Sequence, residues 1–200
     1  MRPKELILAS NMAIVTGLSA QLYVYIGPIP YTMQNFGIVL SGLLLKPKYA
    51  FLSQLIYLAL IAIGLPLAAG AKGGVGVLLG PTAGYLWGFP IAAILTSILA
   101  RPCLMKRRLL RTWLMCFISS LPVYVLGILW LETWMESLGG SIKRWLFVIS
   151  SMIGISTENS ALSLIVSGML IFIPQDVLID HVLAIIVASK LRSLLMGEVD

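Results

Sequence analysis

Long apolar stretches, broken only by short clusters of Pro, Gly, Lys and Arg, run from Leu6 to Leu195, and this pattern decides what the chain can fold into. Of its 200 residues 59% are apolar and 11% charged, roughly half the charged share of an ordinary soluble domain. Too little polar surface is available to cover a water-soluble fold, so the stretches read as spans in lipid, and the length suits one domain over residues 1–200. Six spans are expected: Leu6–Ile26, Asn35–Leu45, Tyr49–Ile63, Pro81–Ala100, Trp113–Leu131 and Val177–Leu195. Leu6–Ile26 has no small-residue cleavage site and is followed by more apolar sequence, which makes it a first transmembrane helix rather than a removed signal.

The second and third spans are shorter than the roughly 20 helical residues that cross hydrocarbon. Irregular backbone survives at membrane depth only where protein or a wet cavity satisfies its polar groups. The flanking segments Gly27–Gln34 and Gly64–Gly80 are therefore expected to fold inward as Gly/Pro-rich re-entrant loops over a pocket. Basic residues set the orientation. With a cytoplasmic N-terminus, eleven of the 14 Lys and Arg fall inside: Arg2, Lys4, Lys46, Lys48, Arg101, Lys106, Arg107, Arg108, Arg111, Lys190 and Arg192. Only Lys72, Lys143 and Arg144 fall outside, both termini become cytoplasmic, and both Gly/Pro-rich loops face outward. The net charge of +6 sits in these span-end clusters, so it reads as a topology signal and not as a nucleic-acid surface.

Trp145–Ser156 is apolar but too short to span and is bordered by charges, which suggests an interfacial helix. Ser160–Ile173 reads either as a re-entrant element or as an extra helix on the outer side. Cys103 and Cys116 read as packing residues, with neither a disulfide nor a metal site implied. No nucleotide, protease or metal motif is present, so neither a resident cofactor nor catalysis is suggested.

The acids at the start of the last span stand out, because an ionisable residue in a membrane needs a partner or a wet cavity. Asp176 either caps that helix or touches a ligand; Asp180, one turn on, either contacts a ligand or pairs structurally. His181, the only histidine, is turned about 100° away and reads mainly as packing. A membrane enzyme using Asp176, Asp180 and His181 as acid and base groups is the rival reading. The loop from Gly64 to Gly76 has five glycines in thirteen residues, which lets backbone approach a small molecule. Ala9, Ala13 and Gly17 form a stripe of small residues, suited equally to packing within the bundle and to a partner helix.

The segments Tyr31-Thr-Met-Gln-Asn, Gly42-Leu-Leu-Leu, Leu55-Ile-Tyr-Leu, Gly64-Leu-Pro, the run from Gly73 to Pro90, and Phe172-Ile-Pro-Gln-Asp resemble, in order and spacing, the BioY family. This is the biotin-capturing S component of energy-coupling-factor (ECF) vitamin transporters. The resemblance implies a six-helix subunit that binds biotin near the outer surface and joins a transmembrane coupling protein and two cytoplasmic ATPases. ATP would then be used only by those partners. It matches Ala9 and Ala13 to a family Ala-x-x-x-Ala motif that contacts the coupling protein, with Gly17 extending the stripe. It matches Thr32 and Gln34 to a Pro-x-Thr-x-Gln motif, Gly73, Gly74 and Tyr85 to the pocket loop and the helix behind it, and Asp176 to an aspartate associated with the ureido ring. Lys72 and Tyr85 are the candidates for the ligand's carboxylate end, and Asp180 is retained as a candidate ligand contact. The chain departs from the family pattern at Ile179, where lysine is usual, at Gln175, where glycine is usual, and over residues 132–157, which read as an insertion. A different vitamin or biotin-like ligand on the same fold is the nearest alternative.

Overall fold

The computed structural model describes residues 3–26, 29–134, 140–152 and 160–197. Helix α1 (Pro3–Ser19) ends where Thr16 and Ser19 turn their hydroxyls back onto the carbonyls of Met12 and Val15. The chain then forms an antiparallel hairpin of β1 (Tyr23–Ile26) and β2 (Ile29–Thr32), with Tyr23 opposite Thr32 and Ile26 opposite Ile29. This corrects two expectations. The first helix stops short of Ile26, and the architecture is not purely helical. Tyr23-Val-Tyr-Ile is apolar enough to extend a span, but it is built of aromatic and β-branched residues that favour a strand.

Helices α2 (Gln34–Leu44) and α3 (Pro47–Ala62) follow, separated by a turn whose Leu45 carbonyl accepts from Ser97 Oγ at 2.6 Å. Pro47 sits in the first turn of α3, where its missing N–H has no cost. A glycine-rich loop leads to α4 (Val75–Leu79), and α5 (Ala83–Leu95) runs through a π turn at Thr96–Ala100 into α6 (Arg101–Met105). Then come α7 (Leu109–Trp134), α8 (Gly140–Met152) and α9 (Ser160–Ile165). A π turn at Val166–Leu170, the single turn α10 (Ile173–Gln175) and a second π turn at Asp176–Asp180 lead into α11 (His181–Gly197).

Among the described residues three helices are long and apolar enough to cross a membrane: Ala83–Met105, Leu109–Trp134 and Leu162–Arg192. The last corrects the expected boundary at Val177, because Ser160–Ile173 leads directly into the final helix instead of standing apart from it. Asp176 accordingly lies inside a helical run, its N–H bonded to the Phe172 carbonyl at 3.1 Å, and does not cap a helix start. Helix α8 covers the expected interfacial helix as far as Met152, and the rest of that segment lies outside the described residues.

Small residues set how closely the helices meet. A Cβ on Gly84 would stand 2.3 Å from the Leu126 carbonyl oxygen, and one on Gly88 would stand 2.6 Å from Val123 Cα, so α5 and α7 pack backbone to backbone. Ala9, Ala13, Ala50, Ala92 and Ala93 are buried with Tyr57 and Phe89 in one core cluster, while large apolar side chains such as Ile7, Leu18, Leu110 and Leu178 face outward. Such an arrangement suits a lipid surround, in which outward apolar groups cost nothing.

Candidate binding site

The hairpin, the glycine-rich loop and the helices α2, α4, α5, α7 and α8 line, with the stretch from Phe172 to Asp176, a partly open cavity of about 580 Å³. That volume lies within the range of small-molecule pockets. Ile29, Pro30, Ile38, Leu86, Phe89, Val123 and Phe172 make most of the wall apolar. Thr32, Gln34, Asn35, Lys72, Tyr85, Tyr124 and Asp176 supply polar groups.

Among the described residues Asp176 is the only carboxylate in that wall, and it is 7% exposed. Tyr124 donates its hydroxyl to Asp176 Oδ2 in a short hydrogen bond, and Asn35 Nδ2 donates to the Tyr124 oxygen at 3.4 Å. No salt bridge to Asp176 or Asp180 is found among the described residues. An acid buried with neutral donors keeps acceptor capacity for N–H groups brought by a ligand.

A second network supports the wall where the hairpin meets α2. Thr32 Oγ1 donates to Gln34 Oε1 at 2.8 Å, Gln34 Nε2 donates to Tyr57 Oη at 2.6 Å, and Tyr57 donates to the Leu67 carbonyl at 3.1 Å. The hairpin is pinned by Tyr31, which donates to the Ile171 carbonyl at 3.0 Å and stacks on Phe172. Partial burial, reinforced by the charge of Asp176, holds the Tyr31 phenol above its ordinary pKa, so it remains a donor.

Five of the residues picked from the sequence, Thr32, Gln34, Lys72, Tyr85 and Asp176, come together in this wall. Lys72 reaches it from an exposed loop position, with Nζ 5.5 Å from the centre of the Tyr25 ring. Tyr85 contributes its ring, while its one proton goes to the Gly168 carbonyl at 2.8 Å and is not free for a carboxylate.

The structure does not bring Gly73, Gly74 or Asp180 into the wall. Gly73 is required by packing, since a Cβ there would stand 2.4 Å from the Leu65 carbonyl oxygen, and Gly74 adopts φ +93° as it opens α4. Asp180 is fully buried and accepts the Phe36 N–H at 3.1 Å and Gln175 Nε2 at 3.5 Å. These bonds tie the start of α2 to the last helix. His181 is also outside the wall, so Asp176, Asp180 and His181 do not converge on one space where a substrate could react. Ile179 is 47% exposed and points away from the cavity.

The small-residue stripe is likewise placed differently from the family expectation. Ala9 and Ala13 are 0% exposed and belong to the core cluster shared with α3 and α5, and a Cβ on Gly17 would meet the Leu67 side chain at 2.9 Å. In this structure the stripe serves packing within the chain.

Several wall residues were not picked from the sequence: Tyr25, Phe89, Tyr124, Trp145 and Phe172. Of these, Trp145 has a buried indole N–H with no partner among the described residues. Gln21 was also missed. It donates to the carbonyls of Gly17 and Ala68, each at 3.1 Å, and accepts the Ala71 N–H at 3.1 Å, which fastens the glycine-rich loop to α1. A glutamine at the end of an apolar span was the available signal for it.

Apolar spanning helices around a partly open cavity with a buried acid in its wall define a membrane protein that captures a small molecule. A model of the BioY family matches residues 1–196, and the chain belongs to that family. A probable biotin transporter BioY of Pyrococcus horikoshii is 40% identical over 131 residues, which is 66% of this chain and 76% of the relative. The biotin transporter BioY of Thermotoga maritima is 34% identical over 141 residues, 70% of this chain and 81% of the relative. A crystal structure of the S-component for biotin from an ECF-type ABC transporter matches with a TM-score of 0.68 at 26% identity, over 96% of this chain and 95% of that one. The chain is thus a multi-pass membrane component of a transporter and not an enzyme.

Proposed function

We propose that this chain captures biotin on the outer side of the cell membrane and is the substrate-binding subunit of an ECF-type uptake system. The observation that carries the reading is Asp176, a carboxylate in the wall of a mostly apolar cavity whose hydrogen-bond donors there are neutral. A cyclic urea supplies paired N–H donors for such an acid, and the apolar wall suits the fused rings and alkyl chain. Lys72, at the loop side of the same cavity, is the cation best placed for the ligand's carboxylate.

Six membrane-crossing segments follow from α1, α2, α3, α5 with α6, α7, and the run ending in α11. At 1.5 Å per residue, α2 and α3 are about 16 Å and 24 Å long, short of the roughly 30 Å of hydrocarbon. The hairpin and the glycine-rich loop then make up the missing depth as re-entrant elements. Residues 132–157 are an insertion in the single domain, and both termini are cytoplasmic. A coupling protein and two ATPases supply the energy, since the sequence has no nucleotide motif of its own.

Calorimetric titration of the detergent-purified protein with biotin tests this, run beside desthiobiotin, riboflavin and thiamine and repeated on Asp176→Asn. Saturable biotin binding, weakened by about 1–3 kcal/mol in the variant, is expected for a lost charge-assisted hydrogen bond. Binding of another of these compounds in preference to biotin would assign the fold to that ligand instead.

A further inference from the structure

The buried histidine is not part of the cavity wall, yet it is joined to it. Ser120 and Tyr124 stand one turn apart on α7, Asn35 comes from α2, and Asp176 and His181 come from the last helix. All five are buried. Ser120 Oγ lies 3.2 Å from Asn35 Oδ1 and 3.2 Å from His181 Nε2, and the series continues through Asn35 Nδ2 and Tyr124 to Asp176.

Counting protons gives this series a direction. An ionised Asp176 only accepts, so the single Tyr124 proton goes to it. The Tyr124 oxygen can then only accept, and the Asn35 atom facing it must be the amide nitrogen. Asn35 consequently offers its oxygen to Ser120, which spends its one proton there. His181 must donate to Ser120 from Nε2. Its Nδ1 is left as a bare lone pair, and that atom is buried with no partner among the described residues.

We propose that His181, with its proton on Nε2, is a positioning residue for the ligand-binding carboxylate. It is the head of a one-way hydrogen-bond chain through Ser120, Asn35 and Tyr124 that holds the Tyr124 hydroxyl on Asp176 and keeps that carboxylate an acceptor for the ligand's N–H donors. The inference rests on Asp176 being the ligand acceptor. If the chain ran backwards, with a protonated Asp176 donating from Oδ2 to Tyr124, His181 would carry its proton on Nδ1 as a buried donor with no acceptor among the described residues.

Because the chain contains one histidine, ¹⁵N-histidine labelling of protein freed of any affinity tag reports this residue alone. The expected spectrum shows the proton on Nε2, with both ring nitrogen shifts moving when biotin is added. A proton on Nδ1 in the ligand-free protein overturns the assignment. Binding supplies the second readout: His181→Phe is expected to weaken biotin by about 5- to 10-fold, the scale of one neutral hydrogen bond. His181→Gln, whose amide N–H can stand in for Nε2–H, restores affinity to within about threefold, and on an Asp176→Asn background His181→Phe has no further effect. Equal losses in the Phe and Gln variants, or losses that simply add to that of Asp176→Asn, reduce His181 to packing and overturn the proposal. Failure of the wild-type protein to bind biotin would instead sink the ligand assignment, and the labelling experiment in ligand-free protein still decides the direction of the chain.

Discussion

Tyr57→Phe separates the value of one buried hydroxyl from that of the ring carrying it. The ring is fully buried and stacks on Phe89 with centroids 6.1 Å apart, and phenylalanine keeps both features. What disappears is a junction: Gln34 Nε2 loses the acceptor it reaches at 2.6 Å, and the Leu67 carbonyl loses its donor at 3.1 Å. A buried polar group left without a partner costs about 1–3 kcal/mol. Gln34 borders the cavity, where water can replace the lost oxygen, so its share falls at the low end. The expected destabilisation is therefore about 2 kcal/mol, with roughly 4 kcal/mol as a ceiling. Reversible unfolding of the ligand-free protein in mixed detergent micelles, wild type beside variant, measures it. A difference below about 0.5 kcal/mol would show that water replaces the hydroxyl at both partners, and the argument that this junction holds the glycine-rich loop to α3 would fail.

Gly127→Ala would place a Cβ 2.3 Å from two atoms of the Tyr85 ring, so the ring must shift within the cavity wall. Biotin affinity should fall by about tenfold or more in titration, whereas Gly76→Ala, which meets nothing within 4 Å, should leave it unchanged. Trp145→Phe keeps an aromatic ring in the wall and deletes an indole N–H that has no partner among the described residues, so ligand-free stability should equal or exceed that of wild type. A loss of more than about 1 kcal/mol in the same unfolding assay would mean that the N–H is satisfied. Ala13→Leu should destabilise the isolated chain by about 1–3 kcal/mol through overpacking, seen as lost monodisperse protein in size-exclusion chromatography. A well-folded Ala13→Leu protein that failed only to assemble with a coupling protein would return the stripe to a partner surface.

Hydrophobic run length and the punctuation between runs placed α2, α5 and α7 to within a few residues, because the signal for a span is local, whereas α4 was hidden in the glycine-rich loop and the start of the last run was set too late. The hairpin was missed for the same reason. Tyr23–Ile26 is continuous in hydropathy with the first span, and only its pairing with Ile29–Thr32 distinguishes strand from helix. Asp176 was legible because a carboxylate in a lipid span is conspicuous by itself. Its donor was not, since Tyr124 lies 52 residues away and a tyrosine inside a span is unremarkable until its hydroxyl is seen to have a partner.

Composition, run length and the distribution of Lys and Arg by themselves determined that this is a helical protein of the membrane with glycine-rich loops and two conspicuous acids, because the cost of placing charge and unpaired backbone in hydrocarbon acts residue by residue. Tertiary structure decided which side of each helix meets which neighbour. Ala9 and Ala13 look like a docking stripe in one dimension and are enclosed by their own chain in three. Gly73 and Asp180 look like ligand contacts in the sequence, and in the structure they lie outside the cavity wall, where packing and a hydrogen bond tie them to the loop and to α2. Side-chain direction depends on the rotation of each helix about its axis, which packing against distant segments sets and no local pattern encodes.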